Sequence, residues 1–220
     1  MKVETWLRMA GIPYEHRPLQ APARSSTGKV PYIERPDGTL LSDSSRIVRV
    51  LGAERGVDLD DGLSPAERSA LLFARRAIEE HYYFLAAHDR RIEPEGWARS
   101  GRDYFAPTPM PLRLLLPPMI RRQVRRDLWG QGLSRLDREE RARRVDEDLD
   151  AIAALLGDGD HFFGRATTLD ATAFAFLSNV IHAPIDGPAH RAARARPRLV
   201  AYERRMWQLV FPDFPRPGGA

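Results

Sequence analysis

The sequence predicts an α+β fold, with a small N-terminal part built on one β-hairpin and an all-helical remainder. Three stretches carry the prediction. Val30 to Glu34 and Thr39 to Ser42 have strand composition and are separated by Pro36-Asp37-Gly38. In that turn proline presets φ and glycine takes the positive φ that closes a hairpin. Asp43-Ser44-Ser45 stands directly before Ile47, Val48 and Leu51, which are apolar at helical spacing. From Ser64 onward the pattern is helical throughout, beginning with Ser64-Pro65-Ala66-Glu67, a capping box with proline at the first helical position.

Taken in order, Lys2 to Ala10 predicts an amphipathic helix with Val3, Trp6, Leu7 and Ala10 on one face, stopped by Gly11 and Pro13. Tyr14 to Arg17 alternates weakly and predicts a short strand, and Gln20 to Gly28 a loop. After the hairpin comes the helix that starts near Asp43 and ends between Gly52 and Gly56. The helix from Ser64 runs to about Arg91, with Leu71, Ile78, Tyr82 and Leu85 inward. Five prolines between Gly96 and Pro118 predict irregular or broken helix, and a basic helix resumes from Met119 to Leu128. Asp137 and Glu140 begin a helix whose inner face is Val145, Leu149, Ile152 and Leu156. Thr167-Thr168-Leu169-Asp170 is a second strong cap, ahead of the apolar run Ala171 to Val180. A final helix spans Pro197 to Phe211. The expected domains are 1–56 and 64–212.

Composition is that of a water-soluble globular chain: 43% hydrophobic and 29% charged residues. With no cysteine there is no disulfide, thiolate nucleophile or sulfur-ligated metal in the sequence. All basic residues except Lys2 and Lys29 are arginines, a skew that speaks of codon composition more than of a nucleic-acid surface. No apolar run approaches the roughly 20 residues of a membrane span, and no signal pattern opens the chain, so a cytoplasmic location is expected.

Val30-Pro31 ahead of a hairpin, with Asp43-Ser44 at the next helix start, resembles the glutathione-binding half of a glutathione transferase. The resemblance implies a thioredoxin-like N-terminal domain and an all-helical glutathione transferase C-terminal domain. It further implies a cis bond at Pro31, a Val30 backbone paired with the cysteinyl part of glutathione, and Asp43 and Ser44 holding its γ-glutamyl end. Glutathione would be the cosubstrate and a small hydrophobic electrophile the acceptor; a homodimer is compatible with it, and no metal is implied. Thr167 and Asp170 match the family's structural box on the buried helix of the C-terminal domain. More narrowly, the opening Lys-Val-Glu-Thr-Trp-Leu-Arg-Met-Ala-Gly-Ile-Pro-Tyr-Glu, Leu128 to Gly132 and residues 168–172 are similar to the branch that includes failed axon connections and metaxin-like proteins.

The resemblance is to a fold lacking its first strand, because Met1 is followed at once by helix. That strand and the turn bearing the family's catalytic residue are expected upstream of Met1, so the catalytic residue is unknown. The alternative function is a non-catalytic, metaxin-like interaction or assembly protein that keeps the fold. Other constellations are weaker. His81 and His88 lie seven apart, hence on one helix face; that is not the i, i+4 spacing of a zinc pair, and it suggests packed residues or the lining of a substrate pocket. Ser, His and Asp occur without a nucleophile elbow. Arg135 to Arg144 interleave with acidic residues as on a solvated helix face.

Overall fold

The computed structural model describes residues 1–17, 25–106 and 108–217; part of the predicted Gln20 to Gly28 loop and Pro107 lie outside them. Helix α1 is Lys2–Met9, followed by the strands β1 (Tyr32–Glu34) and β2 (Leu40–Ser42) and by helix α2 (Ser44–Arg55). The strands pair antiparallel with Tyr32 opposite Ser42, Ile33 opposite Leu41 and Glu34 opposite Leu40. Gly38 takes φ 82° in the turn. Asp37 Oδ1 accepts from the Thr39 N–H at 2.9 Å and from its hydroxyl at 2.7 Å, fixing the register. Gly56 closes α2 in the left-handed conformation at φ 64°.

The expected strand at Tyr14 to Arg17 is not formed. Among the described residues the sheet has two strands, and the ladder that Tyr14 would join is missing its neighbour. Tyr14 is held by side-chain chemistry instead: its hydroxyl accepts from Arg8 Nε at 2.9 Å. The Arg8 guanidinium also lies 4.7 Å from the Phe211 ring centre and donates to the Val210 carbonyl at 3.0 Å, tying α1 to the C-terminal segment.

The helical part comprises α3 (Pro65–Arg76), a π-helical turn at Ala77–Tyr82, α4 (Tyr83–Arg91), α5 (Pro94–Phe105), α6 (Leu112–Gln131), α7 (Arg138–Leu156), α8 (Thr168–Ile181), α9 (Pro188–Arg194) and α10 (Pro197–Val210). The segment from α3 through α4 is the predicted long helix, interrupted by the π turn. The region expected to be irregular or broken helix is two helices with a break between them, where Pro109 and Pro111 stand. Pro94 stands at the first turn of α5, where no N–H is required. Pro117 and Pro118 sit inside α6 and deprive Arg113 and Leu114 carbonyls of donors. Both of those residues are exposed, so water can replace the lost bonds. Among the described residues no helix is long and apolar enough to cross a membrane.

Two apolar cores meet on α8. One is helical, centred on Ile78, Tyr82, Leu85, Leu149, Phe174, Leu177, Leu199 and Tyr202; the other joins Val3, Trp6 and Leu7 of α1 to Leu41, Ile47 and Ala171 of α8. The first turn of α8 is built as the sequence predicts. Thr167 donates its N–H and its hydroxyl to Asp170 Oδ2, each at 2.9 Å. The buried Asp170 also accepts from the Tyr202 hydroxyl of α10 at 3.1 Å and faces His161 Nδ1 at 3.3 Å. Asp60, between α2 and α3, caps the same turn from outside, accepting from the Thr168 N–H at 2.8 Å and its hydroxyl at 2.7 Å.

Asp170→Ala is expected to cost about 2–4 kcal/mol, more than a lost cap alone, because the buried Tyr202 hydroxyl loses the nearer of its two acceptors and the Thr167 hydroxyl loses its own. Urea unfolding of the variant measures it, and a loss below about 0.5 kcal/mol would contradict this accounting.

The Asp170 hydrogen bond raises the His161 pKa above its usual value. Its stabilising contribution is therefore full below about pH 6.5 and is lost as pH rises through the folded value. Burial, and next the Arg141 charge, lower the His88 pKa, which gives the opposite slope. The check is thus the difference between wild type and His161→Gln in unfolding free energy. Wild type should gain more at about pH 5.5 than at about pH 8.5.

Candidate functional site

The end of the hairpin brings the four predicted residues to one place. The β1–β2 register, continued one step past Tyr32 and Ser42, puts Pro31 beside Asp43. The Val30–Pro31 bond is cis, the isomer the resemblance implies. Val30 is 60% exposed and lies outside the ladder. The chain just before it is fixed by the buried Ser25, whose hydroxyl donates to the Lys29 carbonyl at 2.7 Å and accepts its N–H at 3.1 Å.

Asp43 is the N-cap of α2, its Oδ1 accepting from the Arg46 N–H at 2.9 Å. Its backbone is at φ 74°, ψ 124°, a region that a side-chain-bearing residue occupies at a cost. This sharp corner carries the chain from β2 directly into α2, so that Ser44 and Ser45 form its first turn beside Pro31. Asp43 itself is exposed and Ser44 half-buried. One Asp43 oxygen is thus committed to the helix, and the carboxylate contributes to the site as a cap as well as a charge.

Sequence reasoning missed the two charged groups that complete the cluster. Lys2 Nζ, from the first turn of α1, donates to Ser44 Oγ at 3.2 Å and Ser45 Oγ at 3.1 Å, and forms an ion pair with Glu79. Glu79 belongs to the π-helical turn, a deformation frequent at functional sites. The side chains of Lys2 and Glu79 are 11% and 14% exposed, so the pair is largely out of water. The signal available in sequence was that Lys2 is one of two lysines among many arginines; Glu79 offered none, since its position depends on the π turn. The result is a cation, an anion and two hydroxyls at a helix N-terminus, a donor and acceptor set that matches the carboxylate and ammonium of an α-amino acid end.

The two histidines are placed otherwise than a substrate pocket requires. His81 Nδ1 is 2.6 Å from Asp148 Oδ2, and the buried His88 contacts Ser134 Oγ at 2.7 Å and Glu93 at 3.4 Å. They are packed, hydrogen-bonded side chains, and a group of acidic and histidine side chains able to hold a metal is not found among the described residues. Arg143 and Arg144 both pair with Glu140, as a solvated helix face would. A cavity of about 460 Å³ lies instead between the end of α4, α5, α6 and the loop after α8. Asn179 links it to the start of α1: its Nδ2 reaches Met1 Sδ at 3.6 Å, and its carbonyl accepts from Arg90, a lining residue, at 3.2 Å.

Residues 1–96 match the family model of the glutathione S-transferase N-terminal domain, and residues 145–206 that of the glutathione S-transferase C-terminal domain. The chain belongs to the glutathione transferase-like superfamily. Within it, the chain falls in the branch of failed axon connections and metaxin. It is 28% identical to Failed axon connections of Drosophila melanogaster over 97% of its own length, and spans about half (54%) of that protein. Metaxin-1 of Macaca fascicularis is 27% identical over 96% of this chain and 69% of its own. Isoprene-epoxide–glutathione S-transferase of Rhodococcus sp. (strain AD45) is also 27% identical, over 93% of this chain and 89% of that enzyme. A crystal structure of a class Gtt2 glutathione S-transferase from Vibrio parahaemolyticus superposes with TM-score 0.55 and 18% identity, covering 96% of this chain and 92% of that one; it supports the fold. The architecture is accordingly a thioredoxin-like N-terminal part with a two-stranded sheet, followed by the helical glutathione transferase domain.

If Lys2 and Glu79 form one electrostatic unit, replacing either alone should cost more than replacing both. In a double-mutant cycle with Lys2→Met and Glu79→Gln, urea unfolding should give a coupling of about 1–3 kcal/mol, since each single change strands a desolvated charge. A coupling near zero would mean that the two groups act independently.

Proposed function

We propose that this chain binds glutathione at the hairpin end and conjugates it to a small hydrophobic electrophile. The Lys2–Ser44–Ser45–Glu79 cluster beside Pro31 is the observation that carries the reading. The γ-glutamyl end of glutathione bears a free carboxylate and a free ammonium. On binding it would part the Lys2–Glu79 pair, its carboxylate taking Lys2, the serine hydroxyls and the N–H groups of α2, its ammonium taking Glu79 and Asp43. Val30 would pair its backbone with the cysteinyl unit. The thiolate would be stabilised by the N-terminal end of α1, whose first N–H groups have no intrahelical acceptor and carry the positive dipole end. The electrophile would enter the cavity that Asn179 links to α1. The relative named for an isoprene-epoxide transferase, matched over nearly its whole length, supports this reading.

The second reading is a non-catalytic, metaxin-like interaction protein, favoured by the same ion pair seen the other way. Lys2 already bonds both serines and pairs with Glu79, so on this reading the chain itself would fill the place a γ-glutamyl end would take. Failed axon connections and metaxin among the relatives support it.

Calorimetric titration with glutathione separates the two. On the transferase reading glutathione binds, chlorodinitrobenzene is conjugated above the uncatalysed rate, and Ser44→Ala or Glu79→Gln weakens binding about tenfold, the cost of one charge-assisted hydrogen bond. Lys2→Met should weaken it as well. Tighter binding in Lys2→Met identifies Lys2 as a plug, and absence of binding at millimolar glutathione removes the transferase reading.

A further inference from the structure

The cavity between α4, α5, α6 and the loop after α8 has a composition that a merely hydrophobic acceptor does not call for. Its floor and walls are apolar and aromatic, with Trp97 and Phe105 of α5, Ile120 and Val124 of α6, and Ile185 of the loop. Around them stand Arg90, Arg91 and Arg99, and no acidic side chain is among the described lining residues. Several arginines elsewhere on this protein are paired: Arg141 with Glu93, Arg143 and Arg144 with Glu140, Arg196 with Asp146 and Asp150, Arg216 with Glu203. Among the described residues no carboxylate lies within 4.0 Å of Arg90 or Arg91.

Arg90 is half-buried, and its one described hydrogen bond goes to the neutral Asn179 carbonyl. Burial, followed by the like charge of Arg91, draws its pKa below the usual value. Behind the aromatic wall Arg121 stacks over Trp97 at 5.3 Å, and its buried Nε has no hydrogen-bond partner among the described residues. The site therefore concentrates positive charge next to a concave apolar surface, where an anion with an apolar body gains contact as well as charge. Its volume lies within the roughly 300–1,000 Å³ of small-molecule sites.

We propose that this cavity binds a small amphiphilic carboxylate, with the carboxylate on Arg90 and Arg91 and the apolar body against Trp97, Phe105 and Ile120. The proposal stands on the cavity alone. If the transferase reading also holds, the acceptor of the thiol is an acid-bearing electrophile.

The test is calorimetric titration of the full chain, without glutathione, with decanoate and with decanol, which share an apolar body and differ in charge. Decanoate should bind about tenfold more tightly than decanol, the factor expected for one charge-assisted contact. Arg90→Gln should erase the difference and leave decanol unaffected. Because Arg90 also holds the Asn179 carbonyl, the exposed pair Arg91→Gln/Arg99→Gln is measured alongside and should reduce the preference several-fold without loss of folding. Trp97→Ala should weaken both ligands. Equal binding of decanoate and decanol by wild type overturns the proposal, as does a preference for decanoate that survives in both arginine variants, or no binding of either up to its solubility. Since glutathione is absent from every arm, failure of glutathione binding leaves these outcomes unchanged.

Discussion

The carboxylate of Asp170 at the first turn of α8 is the constraint on which the arrangement rests. Its two oxygens serve Thr167, Tyr202 and His161, so the helix start, the last helix and the preceding loop share one buried acceptor. Asp60 closes the same turn from the segment between the two parts of the chain. One side of α8 then receives α1 through Ala171, and the others receive α3, α9 and α10. Because α1 is seated on α8, the position of Lys2 relative to Glu79 is set by a turn of helix that neither residue touches.

The parts of this fold that were legible in sequence are those specified by local chemistry. Ser64 and Asp137 each announce a helix through a side chain that reaches a backbone group a few residues away, and the box at Thr167 is closed by the Asp170 carboxylate accepting from the Thr167 N–H. The hairpin was legible because Asp37 and Gly38 determine its turn without help from the rest of the chain. The strand expected at Tyr14 was not legible, since a strand exists only through its neighbour and alternation in one segment says nothing about whether a partner is present. The prolines between Gly96 and Pro118 announced a break, and Pro109 and Pro111 stand in it, between α5 and α6. That a helix would tolerate Pro117 and Pro118 was not legible, since it depends on whether the orphaned carbonyls meet water or protein, and burial is a tertiary property.

The candidate site divides along the same line. Val30, Pro31, Asp43 and Ser44 are close in sequence and could be read as one motif. Lys2 and Glu79 are 77 residues apart and meet only through packing. The cavity is less legible still, because its arginines come from different helices and mean something together only once no carboxylate is found beside them. Nothing in the spacing of Arg90, Arg91 and Arg99 distinguishes them from the paired arginines elsewhere on the surface.

The π turn at Ala77–Tyr82 separates the fates of these two sites. In an α-helix each residue advances the direction of its side chain by about 100°, and a π turn takes up one extra residue by local widening, so the helix on either side keeps its phase. Glu79 lies inside that turn, whereas Arg90 and Arg91 lie beyond it. A lineage that lost the inserted residue would restore a regular helix with Leu85 still in the core and the arginines still on the cavity. The change would fall on Glu79 and its neighbours alone, so a single residue gained or lost edits the partner of Lys2 and leaves the arginine-lined cavity in register.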